Sequence, residues 1–567
     1  MPPKKRAKKE EDVVKKVWDH YHNFLESCGE DEEGDIDELQ EIVQLLQEIP
    51  PTSTLGSTCR DLLPVLASMA HFQMASHAIS QSVDTEHDEN DSTDVLQHLQ
   101  ASLRFFPHNC STWSLGADYA RMQHVVSPAV VAQWYQKAAT YASALRTQAL
   151  ELLEGDVEDD GVKEWLELLI VNGMLGTEYI DDEDEEEEVD LPEKEEEGEG
   201  YYSSSAVEGT SRFTSAMLLS TLGKHNEALE QLQHFDLTHR LHPHVWQQKV
   251  EESKEDGPTL FTGSVLPQEL HDAMCRTFAP DAVYWNESDY AHRGYHSYFF
   301  DIAEPSNLIE EVIVNHLLPL AKKCYGGKEE IVGAEWWTHH RPIQANLGHN
   351  LHFDTDEALL SQEQVISHPI VSSVLYLTAG EGATSGPTII LDQTPDSKEV
   401  ATKCWTCVPQ NNSFMVFNGN QLHGVLPCPG DKYENEKSDN VDTMDWKKKQ
   451  DTEDVPHRLT FMVGFWTRCV PDKMENRTVY GPCGPLPPAD STEWVRDINE
   501  YPKHLAPSKN LNESTLPKIS PAWESIQRNE GDTLDIPRGV DHQFFVNGAP
   551  QCFRDSLFEN DDEDEEC

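Results

Sequence analysis

The sequence predicts an α+β multidomain protein, a helical half followed by a β-half of the jelly-roll kind. Three observations carry that expectation. Apolar residues recur at helical spacing through 13–153 and again through 207–256. From about Leu260 the pattern turns to short aromatic and β-branched runs broken by Gly, Pro and Asn. Acidic runs too poor in apolar residues to offset chain entropy lie between and beyond these regions.

Composition narrows the function classes. The 567 residues suffice for about two to four domains. With 43 basic and 102 acidic residues the formal charge is −59, which excludes a direct nucleic-acid binder and suits basic partners. No apolar run approaches the roughly 18 residues of a membrane helix, and no signal-peptide core follows Met1. A chain without membrane association is expected. The 12 cysteines are scattered, as in reduced intracellular proteins. Cys404-Trp405-Thr406-Cys407 has no second pair at zinc spacing and reads as strand cysteines.

In chain order, residues 1–12 are a basic terminus, expected to be disordered. Lys4, Lys5, Arg6, Lys8 and Lys9 form a nuclear-localisation candidate, or equally a solvated end. From Val13 onward, Val17, Tyr21 and Phe24, then Leu39, Ile42, Leu45 and Leu46, then Leu62, Leu63 and Leu66 mark helices. Pro50-Pro51 marks a boundary between them. Asp84 to Asp94 reads as a loop. The run Val95, Leu99, Ser102 and Pro107, then Trp113, Gly116, Tyr119 and Ala120, then Ala132 to Ala138, resembles a tetratricopeptide unit, with Gly116 slightly out of register. Ser211 to His242, with Leu219, Gly223, Ala228, Leu232 and Phe235, resembles another; a plain helical bundle is the alternative. Residues 154–206, including the acidic run Asp181 to Glu188, are expected to be a largely disordered insertion, either a solvated linker or a contact for basic tails.

Residues 257–470 form the β-half. A turn and amphipathic helix over 263–278 lead in, and a further helix covers Ser306 to Lys323. Candidate strands are Tyr295–Asp301, Gly333–His340, Ile343–Leu347, His349–Asp354, Ile370–Leu377, Pro387–Leu391, Cys404–Pro409, Ser413–Asn418, His423–Leu426 and Leu459–Arg468. Residues 471–567 are a Pro-rich extension with an acidic tail, either wrapped on the β-core or flexible.

Within the β-half, His352-Phe353-Asp354 places an imidazole and a carboxylate on one face of a strand, two corners of a metal site. His423 is the best candidate for the third ligand of a facial triad. His349 and Asp356 flank the motif, and a register shift could put His349 near the metal instead, but their spacing puts the pair on opposite strand faces. His339, His340 and His457 read as surface or supporting residues. Asn346, Tyr295, Tyr298 and Tyr376 are either pocket contacts or core filler, and Trp336-Trp337 either line the pocket or fill the sheet.

The ordered set of His352-x-Asp354, Val374 to Leu377, Gly386-Pro387-Thr388, Ser413 to Phe417, His423-Gly424-Val425 and Arg458 to Phe461 resembles the Fe(II)/2-oxoglutarate dioxygenases. It is nearest their prolyl 4-hydroxylase-like branch. The likeness covers about residues 260–470. It implies a double-stranded β-helix core, with iron on His352, Asp354 and His423. It also implies that Arg458 anchors the distal carboxylate of 2-oxoglutarate, with Thr460, Asn346 and Tyr376 as further co-substrate contacts. O₂ is the second co-substrate, succinate and CO₂ are products, and ascorbate is the implied reductant. The implied substrate is a protein side chain, with a basic protein one candidate; an asparagine or histidine hydroxylase or a demethylase is a close variant. Arg458 stands farther beyond His423 than the family spacing suggests, and the charged segment 431–454 accounts for the excess as an inserted surface loop. Lys432, inside that segment, is the second choice for the anchor. The reading from another class is a non-catalytic interaction scaffold with a degenerate β-domain.

Overall fold

The computed structural model describes residues 36–47, 57–84, 91–123, 126–154, 204–251, 257–288, 297–342, 348–427, Met444, 457–468, 493–499 and 506–528. The longer spans have small breaks, and a few isolated residues elsewhere are also described. The basic block at 4–9, Tyr295, Ile343–Leu347 with Asn346, and Lys432 lie outside the described residues, as does most of 154–206.

The helical half comprises α1 (Ile36–Gln47), α2 (Ser57–Asp84), α3 (Asp91–Phe105), α4 (Cys110–Met122), α5 (Pro128–Glu154), α6 (Ser204–Thr221) and α7 (His225–Leu232). Helix α2 packs on α3, α4 on α5, and α6 on both α5 and α7. Pro50-Pro51, read as a helix boundary, lies outside the described residues. The expected loop Asp84–Asp94 is shorter than read, because Asp91 to Asp94 open α3. Likewise Glu154 and Ser204 to Ala206 are helical, trimming the acidic insertion at both ends.

Small polar residues let these helices approach. The Asn109 side chain caps α4 by accepting from Thr112 N at 3.0 Å, and its amide donates to Ser68 Oγ at 2.9 Å. Ser102 Oγ lies 2.7 Å from Thr112 Oγ1 and 2.8 Å from Ser68 Oγ, so these three buried hydroxyls of α2, α3 and α4 satisfy one another. Trp113 fills the adjacent space, with its indole N–H donating to Pro107 O.

The chain then changes character earlier than the helical reading of 207–256 anticipates. After Leu232 it forms β1 (His239–Leu241) and the single turn α8 (Pro243–Trp246). Next come β2 (Thr259–Thr262), α9 (Gln268–Thr277), α10 (Val283–Glu287) and β3 (Tyr298–Asp301). The helix expected over Ser306 to Lys323 is present as α11 (Leu308–Val312), a π-turn over Ile313–Leu317, and α12 (Leu318–Cys324).

The remaining strands are β4 (Gly333–Pro342), β5 (His349–His352), β6 (Val371–Thr378), β7 (Thr388–Leu391), β8 (Cys404–Cys407), β9 (Ser413–Asn418), β10 (His423–Val425) and β11 (His457–Trp466). After helix α13 (Glu493–Asn499) follow β12 (Asn512–Thr515), β13 (Lys518–Ile519), β14 (Trp523–Ser525) and β15 (Phe545–Val546). The seven-stranded sheet runs β12-β2-β9-β6-β11-β4-β3 and the five-stranded sheet β13-β8-β7-β10-β5, with antiparallel ladders throughout.

Side-chain alternation sorts the large sheet into two faces. Leu459, Phe461, Val463 and Phe465 of β11 join a core with Trp336, Tyr298 and the helices α9, α11 and α13. Met462, Val374, Tyr376, Met415, Phe417 and Trp337 face the other way and meet Ile390, Trp405 and Cys407 of the small sheet. The two sheets thus enclose a shared interior. The outward face of the small sheet, with Leu351, Phe353, Ile389, Leu391 and Cys404, is continuous with the helical core.

Cys404 and Cys407 therefore sit on opposite faces of β8, in agreement with strand cysteines; burial pushes their thiols up to about 12 and about 11. Of the segment 431–454, expected at the surface, Met444 is fully buried against the helices. Its Sδ and Cε would lie 2.4 and 2.6 Å from a Cβ added at Gly116. An apolar side chain in a charged insertion fills the space that the missing Cβ of Gly116 leaves.

The C-terminal extension is wrapped rather than free where it is described. β12 extends the large sheet beside β2, β13 extends the small sheet beside β8, and β14 and β15 flank β1 in a three-stranded sheet. Arg240, 5% exposed, donates to Glu524 Oε1 at 2.5 Å across that last sheet. No described helix is long and apolar enough to cross a membrane.

Candidate metal centre

Three of the expected residues come together. One ligand atom from each of His352, Asp354 and His423 falls within a set whose members lie within 4.8 Å of one another. Asp354 Oδ1 is 3.8 Å from His352 Nε2 and 3.6 Å from His423 Nε2. Cis ligands bonded at ~2.1 Å to one ion stand roughly 3 Å apart, so a small inward adjustment would close the site.

The backbone explains why both imidazoles face inward. His352 and His423 are direct cross-strand partners on β5 and β10. His352 Nδ1 donates to Asn350 O at 2.8 Å, and His423 Nδ1 to Gln421 O at 3.0 Å. A carbonyl only accepts, so each Nδ1 carries the proton and each Nε2 keeps its lone pair for a metal. Burial, then the His423 imidazole, pushes His352 down to about 4, keeping it in the neutral form a metal requires.

Strand β5 stops at His352, short of the expected Asp354. Alternation nonetheless continues: Leu351 and Phe353 pack into the helical core, while His352 and Asp354 line the pocket. The ladder between β5 and β10 also slips, pairing His423 with His352 but Val425 with His349. That bulge sets two β5 residues against Gly424 and brings His349 into the same pocket as His352, their ring centroids 4.7 Å apart. A Cβ on Gly424 would lie 2.7 Å from Asn350 O and 2.8 Å from His349 O, so only glycine fits where β10 crosses the bulge.

The opposite wall comes from the large sheet. Alternate residues of β4 (Trp337, His339, Arg341) and of β11 (Arg458, Thr460, Met462) project into the pocket. Trp336 and Tyr298, offered as pocket candidates, instead pack together in the outer core, their rings tilted with centroids 4.7 Å apart. Buried Arg458 donates to Gly386 O at 2.7 Å and to Thr388 Oγ1 at 2.9 Å. Its guanidinium lies 5.4 Å from the centre of the Tyr376 ring, and the Tyr376 hydroxyl donates to the same Thr388 Oγ1 at 2.8 Å. Tyr376 therefore stands behind Arg458. Thr460 donates weakly to His339 O at 3.4 Å.

Of the further pocket neighbours, His339 and His349 were weighed from the sequence, whereas Arg341 was not legible as a site residue. Arg341 donates to Gly348 O, and lies 2.7 Å from His349 Nδ1. Burial, with His352 and Arg341 beside it, drives His349 well below its ordinary range; burial and Arg341 push His339 down to about 3. Asp356 is turned away, accepting from Arg468 and from Leu359 N. His340 and His457 meet each other at 3.3 Å between Nδ1 atoms, on the other face of their strands. Ser372 carried no sequence signal beyond strand character, and Thr388 entered the reading only within the Gly386-Pro387-Thr388 motif, with no role assigned to its side chain.

No family model and no curated protein matches the chain. Among solved structures it is similar to HygX from Streptomyces hygroscopicus with nickel and 2-oxoglutarate bound, at TM-score 0.22 and 11% identity, covering 37% of this chain and 81% of that one. HygX with iron bound gives TM-score 0.22 and 10% identity, covering 37% and 82%. A prolyl-4-hydroxylase from Pseudomonas putida gives TM-score 0.17 and 13% identity, covering 37% and 93%. At such scores these likenesses carry no argument, and the reading of the site rests on its own geometry.

Proposed function

We propose that this chain is an iron(II)- and 2-oxoglutarate-dependent dioxygenase that hydroxylates a protein side chain, as prolyl hydroxylases do. The observation that carries the reading is the convergence of His352, Asp354 and His423 in one pocket with buried Arg458. Two imidazoles and a carboxylate are a donor set that would hold Fe(II) and leave room for co-substrate and O₂. Iron bound there would supply O₂ activation coupled to decarboxylation of 2-oxoglutarate to succinate and CO₂.

The chain's own residues bind and orient. Arg458, with Gly386 O and Thr388 Oγ1 fixing its plane, presents a fork that matches the distal carboxylate of the co-substrate. Thr460 adds a hydroxyl beside it, and Tyr376 backs the guanidinium with its ring. Asn346 is proposed as a further contact. Trp337, Val374, Phe417 and Met462 give the pocket apolar walls that keep water from the co-substrate.

The helical half, read as tetratricopeptide-like, would recruit the polypeptide. The acidic charge favours a basic substrate, the block at 4–9 a nuclear location, and ascorbate is the proposed reductant. The test is succinate formation from 2-oxoglutarate with Fe(II) and ascorbate, comparing the natural chain with His352→Ala and Arg458→Ala. Turnover lost in both variants supports the reading. Absence of turnover together with absence of iron and 2-oxoglutarate binding sinks it and leaves the interaction scaffold.

A further inference from the structure

Asp354 has two carboxylate oxygens, and the site uses them differently. Oδ1 faces both imidazoles at 3.8 and 3.6 Å. Oδ2 accepts the hydroxyl of Ser372 at 2.5 Å, a distance typical of a charge-assisted bond. Ser372 is 1% exposed and belongs to β6 in the large sheet, where it pairs with Gly464 on β11 and Phe417 on β9. The bond therefore ties a ligand following the small sheet to the rigid centre of the large one.

Position makes that tie consequential. Asp354 stands beyond the last ladder residue of β5, so the sheet does not fix its side chain. Its backbone carbonyl accepts from His368 Nδ1 at 2.7 Å, which locates the residue but leaves the carboxylate free to rotate. Only a contact to the carboxylate itself can choose which oxygen faces the metal. The next serine on β6 does something else: Ser373 Oγ donates to Val463 O at 2.7 Å, within the sheet.

We propose that Ser372 is a positioning residue that holds Asp354 as a one-oxygen ligand, reserving the neighbouring coordination position for co-substrate. The inference rests on the metal-centre reading above. A carboxylate whose second oxygen is occupied by a hydroxyl donor is a poorer chelator, because turning that oxygen to the ion would break the bond. Without Ser372 the carboxylate can rotate, bind through both oxygens or swing away.

The test uses Co(II) as probe with the full chain, following affinity by calorimetry and coordination by visible absorption. Ser372→Ala is expected to weaken Co(II) binding about 10- to 100-fold and to alter the intensity and position of the visible bands. Ser372→Thr, which keeps the hydroxyl, is expected to restore both. Thermal melts of the metal-free proteins serve to show that the variants fold. Affinity and spectrum unchanged in Ser372→Ala would overturn the proposal while leaving the metal centre standing. A natural chain that binds no Co(II) would overturn the metal centre itself, and this proposal with it.

Discussion

His423 and His352 face each other as direct partners across the β10–β5 ladder, with ring centroids 4.3 Å apart. The carbonyls of Gln421 and Asn350 hold each ring by its Nδ1, so both Nε2 atoms turn toward Asp354. The arrangement is preorganised: the groups that orient the ligands are backbone atoms of the ligands' own segments.

Arg458 is expected to govern 2-oxoglutarate affinity without touching the metal. Its two bonds to Gly386 O and Thr388 Oγ1 fix a planar fork that Lys cannot reproduce. Arg458→Lys should raise the KM for 2-oxoglutarate about 10- to 100-fold, as loss of a charge-assisted contact predicts. Co(II) affinity should stay within a few-fold of the natural chain, measured by calorimetry. An equal loss in both would mean that the substitution has collapsed the pocket.

Stability should rise with pH between about 4 and 6.5, in part through His71. Burial, then the neighbouring His98 and Arg104, lowers this imidazole to about 4 in the folded chain, against 6.5 for a free one. Below 6.5 the unfolded chain takes up the proton before the folded one does, so its contribution is complete above 6.5 and is lost as pH falls toward 4. Urea midpoints measured across that window should slope upward with pH, and less steeply in His71→Gln. An identical slope would show that other groups carry the effect.

Met444 is expected to stabilise the join between the insertion and the helices. It is fully buried, and its backbone oxygen accepts from Gln100 Nε2 at 3.3 Å. Met444→Ala should cost about 2–4 kcal/mol, the range for emptying a packed methionine site. Gly116→Val should also destabilise, by about 1–3 kcal/mol, since the added side chain must displace Met444. Denaturant titration of each variant checks both figures.

Arg240 and Glu524 should matter more than a surface pair. Arg240 is 5% exposed, while the Glu524 side chain retains 30% exposure. Glu524→Gln should cost about 2–3 kcal/mol, less than severing a fully buried pair, and Arg240→Met with Glu524→Gln should recover part of it. Thermal unfolding of the two variants gives the comparison.

How much was legible follows from the range of each interaction. Periodicity and turn residues are local, so the strands carrying His423 and Arg458 could be located from sequence, while the change from helix to strand was placed near residue 260, later than β1 puts it. His352 and Asp354 reached one pocket because alternation outlasted the ladder. A register shift that brings His349 toward the metal residues was open from the sequence, but the bulge opposite Gly424 that produces it could not be located there. It depends on the pairing of β5 with β10, and it alone brings His349 beside His352.

The sequence by itself determined the helix-rich first half, most strands of the β-half, the candidate metal ligands with the arginine candidate, and the acidic runs between these regions. The tertiary structure decided that the helices and the small sheet share one core, that β12 to β15 complete three sheets begun hundreds of residues earlier, and that Ser372 meets Asp354. The physical reason is that a local pattern says which face of a strand or helix is apolar, but not what will cover it. That choice is made by packing and hydrogen bonding between segments far apart in the chain, and it exists only once they have met.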